Sequence, residues 1–473
     1  MTILPLNPTQ NASPDALRAF LGECREAARR DGHAKLVSIS LSVEALDPLA
    51  VLESIFEPHE PHFYAERPNL GTALAGAEVA ARCEARGAGR FRQAKAWVGE
   101  TLAHTIAVGD VAAPFGGPHF FAAFAFQDEV EAGEPFPPAS MFVPRWQVAL
   151  AGRTTTAVAN LLVGPEAELE PLALRVWRAH QKFQNMGFPE VNGMPAESPA
   201  PSGCQLAEVG EYRQAVERAL ARIAAGEFEK IVLARAQDLR AERSLHPLRV
   251  LNGLRQRFPD CYSFSYALGR GPSFIGASPE RLVRVSGGML ETEALAGSMR
   301  RGSSASEDAA LAAALLRSDK ERREHAQVLD DILARLAPLG IAPDAPGAPQ
   351  VRRLANVQHL HTPVRAALPG GRHLLDALEA MHPTPAVGGS PREPALAAIR
   401  ELEGYPRGLY AGTLGWLDAR GGGEFFVGIR SALVEGARAR LYAGAGIVAG
   451  SAPEKEFAET ELKFKAVRDA FVA

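Results

Sequence analysis

The 473-residue sequence contains only four cysteines. None forms a Cys-x-x-Cys pair, so neither a structural zinc site nor a disulfide framework is indicated. It also lacks a charge of one sign: 51 Lys and Arg nearly balance 55 Asp and Glu, for a net charge of −4 with histidine neutral. With no basic cluster, a dedicated nucleic-acid or anionic-membrane binder is disfavoured. No 18-residue window is both uncharged and strongly apolar, so no membrane span is expected. The opening Met1-Thr-Ile-Leu-Pro-Leu-Asn-Pro8 has no basic region leading into an apolar one, so no secretion signal is expected. These absences point to a soluble protein of the reducing cytoplasm.

What is present is ordinary globular composition, 47% hydrophobic and 22% charged. The length suggests two or three domains, or one large one. The 44 glycines and 35 prolines imply many turns. In the first half, Leu36–Leu41 alternates with the period of a strand, and Ala157–Val163 reads as another. The stretch from Phe188 to Gly203 carries prolines at 189, 195, 199 and 201 and reads as a join, dividing the chain at 1–203 and 204–473.

The second half is more legible. Val209, Tyr212, Val216, Leu220 and Ile223 recur at helical spacing, with Gly226 as a stop signal. Strands are expected at 230–235, 263–268, 281–285, 425–431 and 440–443, with Gly421-Gly-Gly423 as a hairpin turn. Ser318-Asp-Lys-Glu321 is a capping-box pattern opening a helix to about Leu336, and Ser451-Ala-Pro-Glu454 one opening a helix to about Phe471. Hairpin-linked strands plus long helices predict an α+β fold with large antiparallel sheets and helices packed outside.

Several side chains invite a chemical reading. Glu324 shares a helix face with Val328, Ile332 and Leu336; helix spacing favours the plain account of a carboxylate in a first turn, and the alternative is a paired or metal-bound one. Glu456, Glu459 and Lys463 share a face, either as a solvated ion-pair ladder or as a Mg²⁺ and anion site. Ala443-Gly-Ala-Gly-Ile-Val-Ala-Gly450 reads as a strand–glycine–helix cradle for an anion. It is not a dinucleotide fingerprint, because too little chain follows for a second strand. His359 and His361 are expected on opposite faces of a strand, which disfavours a shared zinc. Glu280 beside Arg281 reads plainly as half of a surface ion pair.

Order and spacing settle more than any single segment. The series is Lys230-Ile-Val-Leu-Ala-Arg235, Gly276-Ala-Ser-Pro-Glu-Arg-Leu282, Glu293-Ala-Leu-Ala-Gly-Ser298, Asp319-Lys-Glu-Arg-Arg-Glu-His325, Gln358-His-Leu360, His382-Pro-Thr-Pro-Ala-Val-Gly-Gly389, Gly428-Ile-Arg-Ser431, Ala443-Gly-Ala-Gly446 and Glu456 to Lys463. It resembles the chorismate-utilising enzymes, most of all the isochorismate synthases, over roughly residues 205–473. The first 200 residues match only in place and size, as a divergent lobe packed on a two-lobed core.

That resemblance implies Lys230 as the base that activates water toward C2 of chorismate, and Glu280 as the acid that protonates the departing C4 hydroxyl. A lysine base needs a lowered pKa and an acid a raised one, so opposed shifts are expected. Glu324 and Glu459 match Mg²⁺ carboxylates, with Glu456 beside them, so the plain readings of these residues give way. Gly297, Ser298, Gly444, Ala445 and Gly446 match groups around the ring carboxylate. Arg430 and Tyr410 match anchors of the enolpyruvyl carboxylate, and Lys463 and His359 match other substrate-pocket positions.

Relatives that use ammonia typically lack the lysine at 230, and aminodeoxychorismate synthases carry a nucleophilic lysine where Ala296 stands. Salicylate synthases tend to have Thr at the place of Ala386 and Leu at that of Ile429, so both positions resemble the plain isochorismate synthases. A salicylate-forming lyase is the alternative, and a catalytically dead regulatory relative is opposed by the intact Lys230, Glu280, Glu324, Glu459 and Arg430. The resemblance further implies a monomer acting on chorismate without a glutaminase partner. Menaquinone, catecholate-siderophore and salicylate pathways all remain open for the product.

Overall fold

The computed structural model describes residues 1–3, 13–184, 204–344, 346–353 and 357–471. The proline-rich join at 188–203 lies outside the described residues.

Two large sheets, of 14 and nine strands among the described residues, form an α+β architecture. Pairing is antiparallel apart from the strand Thr105–Gly109, which runs parallel to Thr2–Ile3 and to Lys35–Val43. Both sheets draw strands from both halves of the chain. In the larger, Pro61–Arg67 pairs with Tyr262–Leu268; in the smaller, His119–Phe124 pairs with Thr413–Asp418. The facing sheets enclose an aromatic core, with Phe63 stacked on Phe121 and Tyr262 on Phe426. These large rings supply much of the apolar area withdrawn from water. A second core, including Leu248, Leu251, Leu441, Phe464 and Val467, sits under the helices Pro247–Arg257 and Pro453–Arg468.

The locally coded elements fall where their patterns place them. Lys35–Val43, Thr154–Val163, Lys230–Arg240, Tyr262–Leu268 and Arg281–Ser286 are strands. The helix Asp319–Leu336 starts at Ser318, whose hydroxyl accepts from the Glu321 N–H. Gly421 stands in the hairpin turn between Thr413–Asp418 and Gly423–Val427.

Four expectations need correction. Val209 closes the strand Gln205–Val209, and the helix begins only at Tyr212; apolar spacing alone does not register the turn between them. The expected strand 425–431 ends at Val427; at Gly428–Arg430, where Arg430 takes φ +50°, the chain crosses from the smaller sheet to the larger and begins a separate strand, Ser431–Glu435. Ser451 is not the cap of the last helix: Pro453 fixes the start one residue later, and the Ser451 hydroxyl accepts instead from the Val448 N–H. The glycines of 443–446 do not form a loop at that helix, because the strand Arg438–Val448 runs straight through them, paired with Lys230–Arg240.

Candidate active site

The site is assembled where the two sheets face each other. Lys230 opens the strand Lys230–Arg240, clamped between Val448 and Ser390 on neighbouring strands. Its side chain is 13% exposed, and Nζ stands 3.5 Å from Glu324 Oε1. Gly446 lies across the pair from Val232 on the same sheet face; a Cβ there would come within 3.2 Å of Lys230 Cε. The strand glycines therefore clear room for side chains rather than present a helix-terminal cradle.

Glu280 sits where the chain leaves the strand Ser273–Ser278 of one sheet and enters Arg281–Ser286 of the other. Its carbonyl accepts from the Val427 N–H at 3.0 Å. Burial, and then the negative charge of Glu293, raise its carboxyl to about 7; Lys230, the Thr384 hydroxyl and Arg430 oppose that rise. Glu280 is thus a protonatable, half-buried acid and not half of a surface ion pair. Arg430, held in the left-handed region, has no ion-pair partner among the described residues. A cation left unpaired beside a protonatable acid suits an anionic ligand.

On the second sheet, Gly297 (φ +75°) lies where a Cβ would come within 3.0 Å of the Glu321 carbonyl, so its backbone packs directly on the helix Asp319–Leu336. The Ser298 N–H donates to Glu321 at 2.9 Å, and its hydroxyl bonds His359 Nδ1 at 2.8 Å. Burial, followed by the charges of Arg430 and Lys463, depresses His359 to about 3, so it stays neutral. His359 and His361 share one strand face, as residues two apart must, contrary to the opposite faces expected. Their partners keep them apart, since His361 bonds Glu293 at 2.7 Å.

Lys463 Nζ donates to the Gly444 carbonyl at 2.7 Å and to Glu459 at 2.8 Å. Glu456 is raised by burial and by the like charge of Glu459, with a Ser451 hydrogen bond opposing. Glu324 lies in the second turn of its helix rather than the first, and takes Lys230 as partner. Tyr410 is buried and stacked on Tyr442.

A family model described as "Chorismate binding enzyme" matches residues 20–472. The chain belongs to the chorismate-binding enzymes. It is similar to a salicylate biosynthesis isochorismate synthase of Pseudomonas aeruginosa, 36% identical over the whole chain and 96% of that protein. It is also similar to the isochorismate synthase MenF of Bacillus subtilis, 31% identical over 93% of this chain and 94% of that one. The solved structure of the menaquinone-specific isochorismate synthase MenF from Escherichia coli superposes with TM-score 0.77 at 27% identity, covering 96% of this chain and all of that one.

Within this chorismate-binding enzyme, the remaining named positions surround the same pocket strands. Ala386 lies half-buried in the segment after His382, two residues beyond Thr384. Ile429 precedes Arg430 in the strand break and packs on the main core. Ala445 pairs with Leu233 and directs its methyl to the strand face opposite Gly444 and Gly446. Three residues escaped the sequence reading. Arg407 and Glu403 form a sealed ion pair on the backbone of the strand that Lys230 opens, and Glu293 stands charged near Glu280. Only Glu293 left a signal, as a lone acid opening the Glu293–Ser298 segment.

For a metal, the donor chemistry suits a hard dication. Glu456 and Glu459 repel each other, a strain that a cation relieves. As placed, no three His, Cys, Asp or Glu side chains among the described residues converge on one point. No helix among those residues is long and apolar enough to cross a membrane.

Proposed function

We propose that this protein is an isochorismate synthase, interconverting chorismate and isochorismate. The observation that carries the reading is Glu280, a carboxyl held at about 7 and influenced by both Lys230 and Arg430, the latter without an ion-pair partner among the described residues. In this reading Lys230 Nζ accepts a proton from water as its oxygen bonds to C2. The ring double bonds shift, and the C4–O bond breaks. Glu280 delivers its proton to the departing hydroxyl, which leaves as water, so one water enters and one leaves. Hydroxide is a poor leaving group, which is why a protonated acid is needed.

Arg430 and Tyr410 would hold the enolpyruvyl carboxylate, Ser298 and the backbone at 297 and 444–446 would hold the ring carboxylate, and His359 and Lys463 would line the rest of the pocket. Glu324, Glu456 and Glu459 would hold Mg²⁺, which when bound offsets carboxylate charge and orients the substrate. The protein would act in the cytoplasm as a monomer on chorismate, without a glutaminase.

The test is product analysis from chorismate with and without Mg²⁺. Isochorismate is expected, and salicylate would indicate the lyase instead. Lys230→Ala and Glu280→Gln should abolish turnover while chorismate still binds. Near wild-type rates in either variant would remove the role assignments.

A further inference from the structure

We propose that Glu293 is the fixed anion that keeps the Glu280 carboxyl protonated, a positioning residue acting through the acid rather than on substrate. The proposal rests on the reading of Glu280 as the acid. Glu293 lies on Met289–Arg300, next to the strand that Glu280 leads into: the Thr292 hydroxyl donates to the Leu282 carbonyl at 2.7 Å, fixing the two strands side by side. Its side chain is 5% exposed. Both carboxylate oxygens accept from Arg352 Nη1 at 3.0 Å, and the His361 ring bonds one of them at 2.7 Å. Arg281, which directly follows Glu280, stands 3.9 Å away.

The need for such an anion is electrostatic. Arg430 from the strand break bears positive charge toward Glu280, as Lys230 does whenever it is protonated, while Arg281 and Arg352 lie against Glu293. The Tyr410 phenol and Thr384 hydroxyl face it as neutral groups. The positive charges favour the ionised form of Glu280 against the larger effect of burial. Glu293 opposes them. Burial alone would raise Glu293 itself, yet the His361 bond, Arg352 and Arg281 hold it down at about 2, so its charge persists across the working pH range. One carboxyl thereby stays ionised and favours the protonated form of the other.

The test is infrared titration of the full-length protein, following the carbonyl stretch of protonated Glu280, identified by its loss in Glu280→Gln. In Glu293→Gln the midpoint should fall by about one pH unit or more, and Glu293→Asp should restore it. Arg352→Met, which strips a cation from Glu293, should shift the midpoint upward. A midpoint in Glu293→Gln that stays at the wild-type value overturns the proposal. Should that variant fail to fold, an unmoved midpoint in Arg352→Met overturns it equally. The titration needs no turnover, so an enzyme inactive on chorismate but showing these opposed shifts would refute the proposed reaction and leave the coupling standing.

Discussion

The phenol oxygen of Tyr410 lies 2.7 Å from the place where a Cβ on Gly444 would sit. The ring cannot readily step aside, because it is buried and stacked on Tyr442 with centroids 5.0 Å apart and planes 12° from parallel. Gly444→Ala should therefore push Tyr410 out of line and lower kcat/KM by about 10- to 100-fold, since displacements near 1 Å suffice for that. The accompanying loss of stability should be about 1–3 kcal/mol, typical of overpacking. Gly446→Ala meets only the flexible end of Lys230, at 3.2 Å, and should lose activity a few-fold. Steady-state kinetics on chorismate with thermal melts check both; wild-type rates in Gly444→Ala would count against the arrangement.

The raised Glu280 carboxyl makes a prediction about stability. In the unfolded chain it titrates near its ordinary 4.5, and in the folded protein near 7. Between those values the native state holds the extra proton, so the stability associated with Glu280 is fully present below pH 4.5 and is lost as pH rises through 7. A shift of that size corresponds to roughly 3 kcal/mol. Glu280→Gln removes the titration. It should therefore gain stability over wild type progressively from pH 4.5 upward, levelling off above pH 7. Melting temperatures of the two proteins across pH 4 to 8 provide the check, and a constant difference would refute it.

What the sequence reveals is what neighbouring residues encode. The Lys230 strand, the Ser318 cap and the 319–336 helix were legible because period and cap lie within a few residues of one another. Strand pairing was not: Pro61–Arg67 joins Tyr262–Leu268 across about two hundred residues, and no local pattern names that partner. The glycines at 444 and 446 misled for a related reason. A strand that sacrifices side chains to make room for Lys230 and Tyr410 has the composition of a loop. Resemblance supplied the roles of Lys230 and Glu280, but Arg407 and Glu403 became visible only when distant backbone groups were brought around them.

Carboxylates that hold a dication should reveal it without turnover. Mg²⁺ should raise the melting temperature of wild type in a concentration-dependent way, because a ligand that binds only the folded state stabilises it. Glu459→Gln should abolish that rise, and chelation should remove activity that added Mg²⁺ restores. The hydrogen bond from Lys463 to Glu459 makes this variant informative, since the lysine still has the Gly444 carbonyl as a partner. A melting temperature equally responsive to Mg²⁺ in both proteins would place the ion elsewhere.

Arg407 and Glu403 pair with side chains only 2% and 1% exposed. The guanidinium donates to the Val232 carbonyl at 2.7 Å and to the Val387 carbonyl at 2.9 Å, and Glu403 accepts from the Ala234 N–H at 2.7 Å. The pair thus ties the strand that carries Lys230 to the segment that carries Thr384 and Ala386. Arg407→Ala leaves Glu403 buried and uncompensated, and should destabilise by about 3–5 kcal/mol. Replacing both by apolar residues, Arg407→Met with Glu403→Leu, removes the stranded charge and should recover much of that loss. It does not restore the anchors to Val232 and Val387, so kcat should remain at least about tenfold down while KM changes little, the pattern of misaligned catalytic groups. Kinetics and melts on the single and double variants separate the two effects. A double variant that regained both stability and kcat would make the pair a structural element with no part in aligning the site.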